Sequence, residues 1–127
     1  MVERVTGIGG FFFRADDADA LARWYAEHLG VGLAPASFED DQASEFEWYQ
    51  EAGPTVFAPF GPQHWRSPHL GRQRWGVNFR VRDLDAIVAQ LRYVGISVEV
   101  DRADHANGRF AQLTDPEGNA IQLWEPA

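Results

Sequence analysis

The chain repeats itself, and that constrains its fold more than any other feature. Residues 10–20 read Gly-Phe-Phe-Phe-Arg-Ala-Asp-Asp-Ala-Asp-Ala, and residues 76–86 read Gly-Val-Asn-Phe-Arg-Val-Arg-Asp-Leu-Asp-Ala. Six pairs are identical at a constant offset: Gly10/Gly76, Phe13/Phe79, Arg14/Arg80, Asp17/Asp83, Asp19/Asp85 and Ala20/Ala86. Ordinary composition gives about one match in such a window. Self-similarity at a fixed offset marks a duplicated supersecondary unit.

Each copy opens as a strand and continues as a helix. In Gly76-Val77-Asn78-Phe79-Arg80-Val81 apolar residues alternate with small or polar ones, the period of a half-buried strand. Asp17 and Asp83 then stand where a helix N-cap is needed. In the second copy Leu84, Ile87, Val88, Leu91 and Val94 form one apolar stripe, ended by Gly95. In the first, Leu21, Trp24, Tyr25, His28 and Leu29 form the stripe and Gly30 ends it. Short strands are predicted over Val31–Leu33, Glu45–Gln50 and Thr55–Phe60 in copy one, and over Ser97–Asp101, Arg109–Thr114 and Ala120–Glu125 in copy two. Residues 34–43 read as polar loop, and Asp115-Pro116-Glu117-Gly118 as a turn.

The predicted fold is therefore α+β: two tandem β-α-β-β-β modules forming a curved mixed sheet around a concave cavity. Module one covers about residues 7–60, a linker rich in Pro and Gly covers 61–74, and module two covers 75–127. A chain of 127 residues has room for one such domain.

Strand alternation assigns the faces. Val77, Phe79, Val81, Ile121 and Leu123 must turn toward the helix, whose apolar stripe they meet. Gly76, Asn78, Arg80, Gln122 and Trp124 then line the opposite face, with Gly10, Phe12, Arg14 and Phe57 in the matching places of copy one. Glycines, aromatics and a few polar groups suit a pocket that orients a small molecule. The competing account is that this face packs on the other module or on another chain.

Several chemistries are excluded outright. There is no cysteine, so no thiolate nucleophile, disulfide or sulfur-ligated zinc; all 11 basic residues are arginine, so no Schiff-base lysine. A net charge of −8 repels nucleic acid and anionic lipid. No stretch approaches the roughly 18 apolar residues of a membrane span, and the first residues show no signal peptide, so the cytoplasm is the expected compartment.

Two segments carry a resemblance: Phe79-Arg80-Val81-Arg82-Asp83-Leu84-Asp85 and Asp115-Pro116-Glu117-Gly118-Asn119-Ala120-Ile121-Gln122-Leu123-Trp124-Glu125-Pro126. With the paired modules, they resemble the vicinal oxygen chelate superfamily, the glyoxalase, bleomycin-resistance and extradiol dioxygenase group. The resemblance implies a homodimer of two-module chains and a metal site on the concave face. Metal-using members place a His or Gln on a module's first strand and a Glu on its last. Here those positions hold Gly10, Gly76, Phe57 and Gln122, and a single neutral amide cannot hold a divalent ion. No metal and no other cofactor is expected.

Other candidates have ordinary explanations. His64 and His69 lie in the linker, where a surface or lid role competes with an atypical metal site; His28 suits a helix C-terminus, and His105 a turn. Gly7-Ile8-Gly9-Gly10 precedes its strand and is no dinucleotide loop, and no serine sits in an esterase setting. Glu125 is a weak candidate for a general base, placed by alternation on the helix side. Trp48 and Trp124 have cavity-facing parity and suit stacking on a ligand, although packing explains them as well. Arg80 and Asn78 are candidates to orient an anionic or carbonyl oxygen, with a structural ion pair as the competing account for Arg80. The leading expectation is a metal-independent binding protein that sequesters or senses a small molecule. The alternatives are a glyoxalase-like lyase, isomerase or dioxygenase with an atypical site, and a non-catalytic interaction protein.

Overall fold

The computed structural model of the chain describes residues 2–32, 48–65 and 69–127. Both predicted helices form. Helix α1 spans Ala18–Leu29 and helix α2 spans Leu84–Tyr93. The paired aspartates do the same work in each: Asp17 accepts from the Ala20 N–H at 3.1 Å and Asp83 from the Ala86 N–H at 3.0 Å. Gly30 ends α1 in the left-handed region at φ 68°, which a residue without Cβ adopts freely. Val94, expected in the apolar stripe of α2, is instead its exposed C-cap.

The strands of module two follow as β1 (Val77–Arg80), β2 (Glu99–Val100), β3 (Gly108–Thr114) and β4 (Ala120–Pro126). They make one mixed sheet of order β1-β4-β3-β2, with β1 parallel to β4 and the other pairs antiparallel. The β2 strand is shorter than predicted because its backbone pairs with β3 only at Glu99↔Gln112 and Val100↔Ala111. Leu84, Val88 and Leu91 of α2 bury against Ala111, Leu113, Ile121 and Leu123 of the sheet. The α+β fold with a mixed sheet is thus as the sequence predicts.

Module one differs from expectation. Among its described residues none belongs to a ladder: neither the segment holding Gly10, Phe12 and Arg14, nor Thr55–Phe60, nor Val31 and residues 48–50. The rest of the predicted strands Val31–Leu33 and Glu45–Gln50, and the predicted loop 34–43, lie outside the described residues. A strand exists only by pairing, and the described segments of module one pair with no sheet edge among the described residues. Their alternation survives in the packing. Phe13 meets Tyr25 edge-on at 6.2 Å and Phe11 meets Trp75 at 5.2 Å, while Phe12 between them is 93% exposed.

What binds α1 to module two is the turn between β3 and β4. Asp115 is buried and its carboxylate accepts from the Tyr25 hydroxyl at 2.7 Å, the Glu117 and Asn119 N–H groups at 2.9 and 3.0 Å, and the Asn119 amide at 2.8 Å. Glu117 then caps the approach to α1, accepting from the Asp16 and Asp17 N–H groups at 2.6 and 3.1 Å. Leu21 and Tyr25 join the same core as α2 and the sheet.

Burial, and next the Asp115 carboxylate, push the Tyr25 phenol above the ordinary tyrosine range. An unfolded tyrosine ionises near about pH 10. A raised folded-state value means that the stabilisation is complete below that pH and is lost as pH rises above it. Tyr25→Phe should cost about 1–1.5 kcal/mol near neutrality, and the gap to wild type should narrow in urea melts above about pH 10. Asp115→Ala, which strands four donors, should cost about 3 kcal/mol or more in the same melts.

Candidate functional site

The register sorts the non-helix face into rows. Asn78 on β1 stands opposite Gln122 on β4, Gln122 opposite Gln112 on β3, and Gln112 opposite Glu99 on β2. Three carboxamides and a carboxylate therefore cross the sheet in a line on the side away from the helices. Asn78 Nδ2 donates to Gln122 Oε1 at 2.6 Å. That bond fixes the amide so that Gln122 presents its NH₂ and Asn78 its carbonyl oxygen to a ligand.

The neighbouring row is Arg80, Trp124 and Phe110. The Phe110 and Trp124 rings stack at 6.3 Å with planes 8° apart. Trp124 is only 8% exposed, and its Nε1 donates to the Asn107 carbonyl at 2.8 Å, so it stiffens the sheet end instead of forming an open wall. Gly108 makes this possible. At φ 131°, a Cβ there would stand 2.1 Å from the Glu125 carbonyl oxygen and 2.8 Å from the Trp124 indole nitrogen.

Arg80 is occupied. Its Nη2 donates to the Glu51 carbonyl at 2.7 Å and its Nη1 to the Pro54 carbonyl, while Arg82 pairs with the Glu51 carboxylate. The guanidinium thus staples segment 51–54 to the sheet. Gly53 permits the approach, since a Cβ there would lie 2.7 Å from Arg80 Cζ.

The linker also reaches this face. Gln73 brackets Ala120, donating to its carbonyl and accepting from its N–H, both at 3.1 Å. His69 Nε2 lies 2.9 Å from the Ile121 carbonyl, and Trp65 Nε1 donates to the Gln73 carbonyl at 2.8 Å. Leu70 and Trp65 stand 3.3 Å from where a Cβ on Gly76 would be, so the space expected beside that glycine is filled by the chain itself. An open cavity of about 450 Å³ lies farther along, at the β2–β3 end, where Gln112, Glu99, Ser97 and Thr114 meet Trp24 and Pro116.

The candidates named from sequence are therefore dispersed. Asn78, Gln122, Arg80 and Trp124 share the face, whereas Phe12 and Phe57 are 93% and 86% exposed, Trp48 is 43% exposed, and Arg14 is exposed, all away from the row. Glu125 accepts from the Leu84 N–H at 2.9 Å and serves the start of α2. His64 bonds through its backbone to Gly61, and His105 pairs with Asp101 at 2.8 Å. Gln112 and Glu99 are not among the candidates named from sequence, although strand parity with Gln122 carries the signal for both; the linker contacts of Trp65, Leu70 and Gln73 have no such signal.

A family model described as a glyoxalase-like domain matches residues 10–124. The chain belongs to the glyoxalase-like domain family. It is 30% identical over 125 residues to the anthracycline biosynthesis protein DauV of Streptomyces sp. strain C5, covering 95% of this chain and 43% of that protein. It is 36% identical over 95 residues to the anthracycline biosynthesis protein DnrV of Streptomyces peucetius, covering 75% of this chain and 33% of that one. This glyoxalase-like chain thus spans less than half the length of either relative. Among solved structures it resembles TnmS3, an antibiotic-binding protein from Streptomyces sp. CB03234, with TM-score 0.62 and 22% identity over 99% of this chain and all of that one. A lactoylglutathione lyase from Agrobacterium tumefaciens gives TM-score 0.57 at 18% identity, over 97% of this chain and 96% of that one. These two likenesses establish the shared fold, that of the glyoxalase and bleomycin-resistance group within the vicinal oxygen chelate superfamily.

The metal that this superfamily implies does not fit the residues present. Gly10 and Gly76 offer no donor, and the Gln122 amide oxygen is already taken by Asn78. Among the described residues no three His, Cys, Asp or Glu side chains gather as a metal group.

Replacing Arg80 separates a ligand contact from a staple. Arg80→Ala should fold, lose about 1–2 kcal/mol, and expose residues 48–60 to faster limited proteolysis. A cleavage pattern identical to wild type would show that the staple does not hold that segment.

Proposed function

We propose that this glyoxalase-like chain is a metal-independent binding protein for a small planar aromatic molecule of the antibiotic or antibiotic-precursor type. The observation that carries the reading is the hydrogen-bonded Asn78–Gln122 pair, in which Gln122 holds a position where metal-using members would have a ligand. A carboxamide locked by its neighbour presents fixed neutral donors and acceptors to carbonyl and hydroxyl oxygens. The names of the two Streptomyces relatives, both anthracycline biosynthesis proteins, supply the ligand class. The fold's use in an antibiotic-binding protein is consistent with it. The cytoplasm, where such a molecule would be made or met, is the proposed compartment.

A homodimer is part of the same proposal. Phe12, Phe57, Val56 and Phe60 are exposed in segments without a ladder, and among the described residues β1 pairs only with β4, which leaves its outer edge open to them. A second copy brings both a strand and an apolar surface to that edge. Light scattering at micromolar concentration should give twice the 14.3 kDa chain mass; a monomer mass would remove this element.

The binding reading is tested by thermal shift and calorimetry on tag-free protein against a panel of anthracyclines and other planar antibiotics. A ligand present at about a hundred times its Kd should add about 2.7 kcal/mol of stability. Dialysis against chelator should leave both stability and binding unchanged. Stoichiometric zinc, nickel, iron or manganese surviving dialysis, or binding that needs added metal, would overturn the metal-independent reading.

A further inference from the structure

We infer that a ligand in the cavity at the β2–β3 end carries a protonated amine and no anionic group, the amine being met by Glu99. The inference rests on the small-molecule reading above and adds the charge class.

Glu99 ends the carboxamide row and lies in the wall of two adjoining cavities of about 450 and 310 Å³, which share it and Gln112. Among the described residues it is the one carboxylate in the lining of the larger cavity, and no described arginine lines it. Around it stand neutral hydrogen-bonding groups, Ser97, Thr114 and Gln112. Trp24, Ile96 and Pro116 supply apolar and aromatic wall for the body of a ligand, and an indole face also favours a nearby cation.

Several cations around the row are held by other groups. Arg80 is bound to the Glu51 and Pro54 carbonyls, and Arg82 to the Glu51 carboxylate. Arg92 donates to the Val98 carbonyl at 2.8 Å, and Arg109 pairs with Asp85 at 3.0 Å. His69 in the larger cavity spends a ring nitrogen on the Ile121 carbonyl. Arg102 lines the smaller cavity together with Glu99 and Asp101, and Asp101 is itself paired with His105 at 2.8 Å. The net charge of −8 adds a long-range field of the same sign. The expectation that Arg80 anchors a carboxylate is replaced by the opposite preference.

The test uses three probes built on one anthraquinone ring, carrying at the same position an aminomethyl group, a carboxamide or a carboxylate. Calorimetry on the dialysed full chain should rank them in that order, with about a tenfold step between amine and amide. The step should shrink as salt is raised from about 0.05 to 0.5 M, and Glu99→Gln should lower amine binding to the level of the carboxamide. The carboxylate binding as tightly as the amine, or an amine preference untouched by both salt and Glu99→Gln, would overturn the charge assignment and leave the binding function standing. Failure of all three probes to bind would instead remove the planar-aromatic reading itself, and this inference with it.

Discussion

Asp115 is the one charged side chain buried among the described residues, and both modules hang on how it is satisfied. A carboxylate taken out of water is tolerated only when its oxygens are fully engaged. Here the chain supplies two backbone N–H groups and a side-chain amide from its own turn, and one hydroxyl from a distant helix. The three local bonds fix the reversal between β3 and β4, and so the register of the longest strand pair in the sheet. The fourth reaches Tyr25 and makes α1 a wall of the module-two core. The motif by which the sequence resembles its family is thus a mechanical joint, and Glu117, two residues on, reinforces it by holding the backbone ahead of α1.

From that joint the functional face follows. With the β3–β4 register set, Gln112 and Gln122 must be neighbours, and pairing with β1 and β2 adds Asn78 at one end and Glu99 at the other. Polar side chains on such a face need partners or water. Asn78 and Gln122 solve part of the problem by bonding each other, which leaves one set of donors and acceptors for a ligand. The linker closes the other side of the face, with Gln73 serving Ala120 and with Leu70 and Trp65 beside Gly76. Open space is left at the β2–β3 end, beside the row's carboxylate.

Module two was almost fully legible in the sequence because its signals are local. Asp83 caps α2, alternation in residues 76–81 separates Phe79 from Asn78, and the turn residues at 115–118 stand where the chain reverses. The same signals are present in module one, and there the helix forms but no described strand does. Helices are closed by hydrogen bonds within one segment, whereas strands need an edge from elsewhere, and sequence alternation does not say which chain provides it. Arg80 shows the same limit on a single residue. Its face was readable from parity, but its partners are carbonyls of a segment 26 and 29 residues earlier. No spacing rule announces such a contact.

The difference between a metal-using site and this one comes down to what replaces a ligand. A glutamine at position 122 keeps the shape of a glutamate but loses its charge, and Asn78 beside it supplies a donor that a metal-bound carboxylate would not need. The amide pair is satisfied without an ion, and one neutral amide oxygen is a weak ligand for a divalent cation. A glycine at 76 then removes the opposing ligand and admits Leu70 and Trp65, whose apolar bulk is a poor surrounding for a hydrated cation. The scaffold keeps its sheet and its joint at Asp115, and on the proposed reading the face offers a neutral oxygen fixed hydrogen bonds in place of metal ligands.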